Sequence, residues 1–461
     1  MKERPWVALH STILQTALHM PPRNLTVIVL AIILSLACYR RASRNRYAAT
    51  IAEAMGRVDD HFVESVDHRE LFEGSMRGMI RQLDPYSGYV AEEDYKRLLE
   101  SMEQQFGGVG MVVDMDQDSG RPLILSPQHD SPAYKAGIRA GDVIWAIDGE
   151  DTADLDRDAA ISRIRGEPGS SVVLTVLSVG ATDTKDLSIE RAIIPVDSVM
   201  GYSRRSDGSW DFRLADRPEI GYLWVDSFGE ETGAEIKKAL DELLPEVEGL
   251  IFDLRRNAGG LLSAAVEVCD LFVSDGPIVT IKGRDGRLRA EFVADDHDDL
   301  IETKVPIAVL VDHYSASAAE IFAACLQDHG LAKVVGERSW GKGTVQNVIE
   351  LEGGRSAMRL TTATYWRPSG KNIHRSRKAT EEDEWGVSPD EGLEVSFEEE
   401  QLQQFLASQR ARFSAPIEAA EAEEKPETET PPFVDIQLEK AIDYLEKQWQ
   451  QPAEPVTKAA A

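Results

Sequence analysis

The sequence predicts a multidomain chain of mixed α/β (α+β) class. It reads as a helical N-terminal region, a barrel-like domain of short strands, and an alternating α/β core closed by a C-terminal helix. Three observations carry that reading. The 461 residues exceed one ordinary domain. The hydrophobic pattern changes from helical periodicity to short strands near residue 106, and to strands alternating with helices after residue 218. Hydrophobic residues at 42% with 28% charged residues suffice for a sizeable core.

In chain order, residues 1–24 form a basic leader or cytoplasmic segment. Before Tyr47 the charges are Lys2, Arg4, Arg23, Arg40, Arg41, Arg44 and Arg46 against Glu3 alone. Leu25 to Cys38 carries no charge, yet is shorter than the roughly 20 residues of a usual spanning helix. Residues 25–39 therefore read as a signal segment or short membrane anchor, which places the bulk of the protein outside the cytoplasm. The net charge of -30 excludes non-specific nucleic-acid binding, which needs Lys and Arg against phosphate. Three cysteines, Cys38, Cys269 and Cys325, give neither a disulfide framework nor metal-ligand spacing, so no metal or other cofactor is expected.

Residues 47–105 have helical periodicity, broken by the turn Asp84-Pro85-Tyr86-Ser87-Gly88. Residues 106–196 switch to short strands. They contain a glycine-rich opening (Gly107, Gly108, Val109, Gly110, Met111), the helical turn Ser131-Pro132-Ala133-Tyr134-Lys135-Ala136-Gly137 and a strand from Gly141 to Gly149 that ends in an Asp148-Gly149 turn. The turn Arg165-Gly166-Glu167-Pro168-Gly169 follows. From 197 to 400 strands at 220–225, 249–254, 278–281, 307–311, 334–335, 344–349 and 358–365 alternate with helices at 232–244, 261–272 and after Ser317. Residues 401–432, with six glutamates and one lysine between Glu418 and Glu429, read as an acidic linker. Periodicity returns in 433–461, where a terminal helix is expected to dock back.

Three separated stretches carry chemistry. A strand-to-helix turn, Tyr314-Ser315-Ala316-Ser317-Ala318-Ala319-Glu320, sets a serine hydroxyl beside N–H groups that a first helical turn leaves unpaired. Taken alone it reads as a helix cap. Asp253 to Gly260 ends a strand in paired glycines, which let a backbone approach a ligand closely. Gly341-Lys342-Gly343 strips side chains from around a lysine, and Gln346 follows four residues later. A phosphate-loop reading fails, because the glycine required four residues before the Gly-Lys pair is absent.

Together these stretches resemble the C-terminal processing (tail-specific) peptidases, serine peptidases with a Ser-Lys dyad. The SASAxE, GKGxVQ and DLRxNxGG motifs stand in that family's order, with Lys342 25 positions after Ser317. The ordered glycine loop, SPAxxAG, GDxIxxIDG and RGxxG resemble a PDZ domain before them. The resemblance implies Ser317 as nucleophile, Lys342 as general base and Gln346 as its orienting residue. It implies an oxyanion hole from the backbone N–H groups of Ala318, Gly259 and Gly260, and leaves Ser315 as the cap. In the PDZ segment, Gly107, Gly108, Val109, Gly110 and Met111 would bind a C-terminal carboxylate, with Val109, Met111 and Val112 lining an apolar groove. Asp328 falls where the family often has an acid, and is equally well read as structural. Ala258, Ala319 and Trp340 depart from the family pattern without removing a reacting group.

The implied enzyme is a serine-type endopeptidase of the cell envelope, acting on the periplasmic side upon protein or peptide substrates with free C-termini. A homo-oligomer or an activator protein stays open. The rival reading is a PDZ-containing scaffold or regulated pseudoenzyme that binds tails without cutting. The lysine needs a special setting in the enzyme reading. At a pKa of about 10.4 only roughly one lysine in a few thousand is neutral at pH 7, and only the neutral amine accepts a proton. Burial lowers such a pKa, and Trp340 with the flanking glycines is expected to provide it. His313 and His329 lie near the serine in sequence, without an acid at a telling position. Asp295-Asp296-His297-Asp298-Asp299 reads as a charged surface loop.

Overall fold

The structure, a computed structural model, describes residues 22–42, 46–116, 118–205, 209–244, 246–295, 305–376, 378–380, 382–413 and 433–450. The loop around His297 and the acidic stretch 418–429 lie outside them. The chain divides into two compact units, residues 1–89 and 90–461.

The first unit holds three helices, α1 (Pro22–Ala42), α2 (Arg46–His61) and α3 (His68–Ile80). Asp67 caps α3 by accepting the N–H of Arg69 at 2.6 Å. Asp84 holds the following turn by accepting from Tyr86 and Ser87, each at 2.8 Å. Although α1 contains the apolar run, no helix among the described residues is long and apolar enough to cross a membrane. The anchor reading of 25–39 gains no support from it.

In the second unit, helix α4 (Glu92–Met102) leads into a strand-rich segment. Its sheet has the order β1 (Met111–Met115), β2 (Pro122–Pro127), β3 (Val143–Ile147), β4 (Ser171–Leu177), β5 (Lys185–Glu190), all antiparallel. Asp148 and Gly149 both take positive φ, the Asp-Gly hairpin geometry. Alternating inward residues such as Ile124, Ile144, Val172 and Leu174 form its core with Ile164 of α5 (Arg157–Ile164). Strand β1 is an edge strand, and α5 runs beside it.

The core that follows is a parallel sheet of β6 (Arg217–Val225), β7 (Gly249–Asp253), β10 (Ile307–Val311) and β11 (Ala332–Gly336), adjacent in that order. Side chains alternate between its faces. Leu223, Phe252, Val309 and Val334 pack under α6 (Thr232–Leu243), α7 (Leu262–Asp270) and α8 (Ala318–Asp328). Tyr222, Ile251, Leu310 and Val335 pack under α9 (Glu399–Phe413) and α10 (Ile436–Gln450). Both faces are covered, which explains why β7 and β10 read as unbroken apolar runs. A second, antiparallel sheet pairs β8 (Pro277–Gly283) with β9 (Leu288–Val293) and with β13 (Ser356–Trp366), which also pairs with β12 (Thr344–Leu351).

Two differences from the sequence reading have clear causes. Residues 399–413 form a helix where the linker was placed, because Phe405, flanked by Leu402 and Leu406, packs on the sheet beside Trp224, ring centroids 6.3 Å apart. Strand β9 escaped notice because mostly exposed polar residues interrupt its apolar ones.

Candidate active site

The serine, the lysine and the glycine turn lie beyond the C-terminal ends of core strands, whereas Gln346 lies on β12 of the second sheet. The turn after β7 carries Asn257, Gly259 and Gly260; the turn after β10 carries Ser315 and Ser317; the loop after β11 carries Lys342. Loops from neighbouring parallel strands converge at that end of an α/β sheet, where such folds place ligands.

Ser317 precedes the first residue of α8, with φ 60 and ψ -114, outside the extended conformation of an ordinary N-cap. A non-glycine residue held there is strained, a common mark of a functional position. Gly259 explains why this turn needs glycine: a Cβ on it would sit 2.7 Å from the Ser317 Cβ, 2.7 Å from the Ala316 oxygen and 2.9 Å from the Ala318 nitrogen. Asn257 fixes the approach. Its Nδ2 donates to the Val225 carbonyl at 2.7 Å, and its Oδ1 accepts the Gly259 N–H at 2.8 Å. The Gly259 N–H is thus engaged within its own turn, a correction to the expectation that both glycines offer theirs. Gly260 abuts the Phe228 carbonyl, 2.1 Å from where its Cβ would lie.

Glu320, fully buried, organises the whole site and was not singled out from the sequence. Its Oε2 accepts the N–H groups of Ser317 and Lys342, both at 2.8 Å, so those two nitrogens lie no more than twice that distance apart. Its Oε1 accepts the Gly341 N–H at 2.7 Å and the Ser339 hydroxyl at 2.5 Å. Burial pushes its carboxyl above the usual range, and the four donors oppose that shift. The visible signal was the Ser-x-x-Glu spacing of a capping box, with the glutamate reaching back to the serine N–H.

Burial lowers the Lys342 amine below its ordinary pKa. The Arg359 charge acts in the same direction and Glu320 opposes it. Trp340 beside it is 46% exposed. On either side of the lysine, Gly341 lies against the Trp385 ring, 2.8 Å from where its Cβ would lie, and Gly343 lies against the His374 backbone. Gln346, on β12, donates through Nε2 to the Thr344 hydroxyl at 2.7 Å and the Thr344 carbonyl at 3.1 Å. Tyr365 enters from β13; burial pushes its phenol up to about 12, and the neighbouring Ser317 opposes that shift. The Tyr365 N–H donates to the Gly343 carbonyl at 2.8 Å, so the tyrosine touches both halves of the site.

Ser315 does not cap α8. Its hydroxyl donates to the Leu254 carbonyl at 2.8 Å and accepts the Asp312 N–H at 2.9 Å, tying the serine loop to the β7 turn. Asp328 forms a two-pronged ion pair with Arg367 and accepts the Ser369 N–H, a structural anchor. His313 pairs with Glu337, and His329 bonds the Pro277 carbonyl.

In the strand-rich domain, Gly107 and Gly108 lie in a short strand paired with Ala192–Pro195 rather than in an open loop. Val109 is buried in the core, so it does not line a groove; Val112, on the edge strand β1, is 54% exposed. Gly110 takes φ 75, and its carbonyl accepts from the Ser131 hydroxyl at 2.8 Å.

A strained serine thus stands beside a glycine turn and is linked through one carboxylate to the backbone of a partly buried lysine. Three family models match segments of the chain. Residues 219–392 match peptidase family S41, 123–178 a PDZ domain, and 39–94 the N-terminal domain of the activating protease CtpB. A carboxy-terminal-processing protease of Bartonella bacilliformis is 37% identical over 330 residues, covering 70% of this chain and 72% of its own. The carboxy-terminal processing protease CtpB of Bacillus subtilis is 35% identical over 337 residues, covering 72% and 67%. A carboxyl-terminal-processing protease of Synechocystis sp. is 32% identical over 339 residues, covering 72% and 74%. The chain belongs to the C-terminal processing serine peptidases of family S41.

Proposed function

We propose that Ser317 is the nucleophile and Lys342 the general base of an endopeptidase that cuts near the C-termini of protein substrates. The observation that carries this reading is the shared Glu320 carboxylate oxygen, which holds the backbones of Ser317 and Lys342 together. The Ser317 Oγ attacks the scissile carbonyl carbon as its proton passes to the neutral Lys342 Nζ. The ammonium then gives that proton to the leaving amine nitrogen, forming the acyl-enzyme and releasing the first product. Water attacks the ester with Lys342 again as base, and the serine leaves with its proton restored.

With its amide nitrogen engaged by Thr344, Gln346 offers Oε1 as a neutral acceptor that orients the Lys342 amine without adding charge. Asn257 takes the Gly259 N–H, so the Ala318 and Gly260 N–H groups are the oxyanion donors and Gly259 supplies the space. Each such donor is worth about 3–4 kcal/mol. The open edge of β1 beside α5 suits an added substrate strand. Backbone N–H groups near Gly110 and Met111 would take the terminal carboxylate. We place the catalytic part outside the cytoplasm, in the cell envelope, with residues 1–39 as leader or anchor, and leave room for an activator protein or a homo-oligomer.

The test incubates the wild type, Ser317→Ala and Lys342→Ala with an unfolded protein substrate, in free-acid and C-terminally amidated forms. Cleavage by the wild type alone, faster on the free acid, is the expected result. Tail binding by all three with no cutting by any would establish the scaffold reading instead.

A further inference from the structure

The two adjacent arginines of the β7 turn have opposite fates. Arg255 is fully buried and neutralised by Asp253 and by Asp435. Arg256 is exposed, and among the described residues its guanidinium makes no hydrogen bond or ion pair. It lies over the Tyr314 ring, 4.1 Å from guanidinium carbon to ring centroid. Stacking leaves the edge donors of a guanidinium open for a carboxylate.

This placement is built into the turn. Arg256 takes φ 65, a conformation that a side-chain-bearing residue rarely adopts. The buried Asp312 carboxylate holds it there: one oxygen accepts the N–H groups of Arg256 at 2.9 Å and of Tyr314 and Ser315 at 3.0 Å. The next residue, Asn257, accepts the Ala316 N–H at 2.9 Å, and Gly259 touches Ser317. Both partners of the stack are therefore fixed to the loops that carry the nucleophile and the oxyanion turn. The nearby acid Glu337 is engaged by His313.

We propose that Arg256, stacked on Tyr314, is a specificity-determining residue that reads a carboxylate of the substrate close to the scissile bond. The proposal rests on the endopeptidase reading and deepens it. A carboxylate there has two sources, an Asp or Glu side chain or the chain's own terminus. A charge-assisted pair of this kind corresponds to about tenfold in rate.

The test uses the full chain and a peptide that the wild type cuts, with Glu and Gln exchanged at each position flanking the scissile bond. Each peptide is made as free acid and as C-terminal amide. For the wild type, Arg256→Gln and Arg256→Glu, the readout is the ratio of kcat/KM for carboxylate over amide, with each variant's melting temperature recorded. The expected result is a wild-type ratio of about ten at one position or at the terminus, near one in Arg256→Gln and below one in Arg256→Glu. The position of that response identifies the source of the carboxylate. If folded Arg256→Gln discriminates as the wild type does, or the wild type shows no ratio at any position, the proposal is overturned while the peptidase stands. Should the variants melt out, Tyr314→Leu, which removes the stacking platform alone, must lower the same ratio. Absence of cutting of every peptide by the wild type would instead overturn the peptidase reading itself.

Discussion

Replacing Gly259 by alanine sets a single methyl group against the nucleophile. The new carbon would lie 2.7 Å from the Ser317 Cβ and 2.9 Å from the Ala318 nitrogen, at a φ of +102 that alanine resists. Backbone strain of about 1–3 kcal/mol and overpacking of about 1–3 kcal/mol add to roughly 2–6 kcal/mol. That fits within a typical stability of about 5–15 kcal/mol, so the chain still folds. Catalysis suffers more, because the methyl displaces the oxyanion donor, and kcat should fall about 10²–10³-fold. Gly330 provides the control. It has φ +70 with nothing within 4 Å of its Cβ position, so Gly330→Ala carries the strain of about 1 kcal/mol without the collision. Denaturant unfolding measures the first quantity, and steady-state cleavage of an unfolded protein the second. A Gly259→Ala enzyme with kcat within about threefold of wild type, at whatever stability, would refute the assignment of this turn.

Glu320→Ala leaves three buried N–H groups and a hydroxyl without their acceptor. Relief of carboxylate desolvation offsets part of the cost, leaving a loss of about 2–4 kcal/mol in stability by denaturant unfolding. A kcat drop of about a hundredfold should accompany it as Ser317 and Lys342 lose their common anchor. The Lys342 pKa is lowered on folding, so between that value and 10.5 the unfolded chain binds more protons than the folded one. Stability therefore climbs with pH through that window, and activity rises from its acid side as the neutral amine forms. Lys342→Met should flatten that part of the melting-temperature profile, and an unchanged slope would remove Lys342 as its source. Asp435→Ala leaves Arg255 with half its compensation and should cost about 3 kcal/mol. Faster hydrogen exchange across Ile436–Gln450 would report it.

Local chemistry was legible in the sequence, and long-range commitments were not. Ser317, Lys342 and the paired glycines stand out because their residue types perform special tasks at special turns. Which glycine N–H remains available depended on Asn257, whose side chain folds back on its own turn, a choice that spacing does not encode. The reading of Ser315 as the cap failed because its hydroxyl oxygen accepts the Asp312 N–H and its proton goes to Leu254, just past β7, while Ser317 holds the position before the helix. The pairing of Arg255 with Asp435 joins residues 180 positions apart, and no periodicity announces it.

In the proposed function, strand β1 has to remain unpaired on one side for a substrate to be read there. An open strand edge is also a template on which any extended chain, including another copy of this protein, can grow a sheet. Two features restrain it. The strand has only five residues, with Asp114 among them, and its register with β2 shifts between Val112 and Val113. A bulge of that kind bends and twists the edge away from the flat geometry that indiscriminate pairing requires. The reading edge is thereby kept short and curved, open to one guest strand and poorly suited to stacking many.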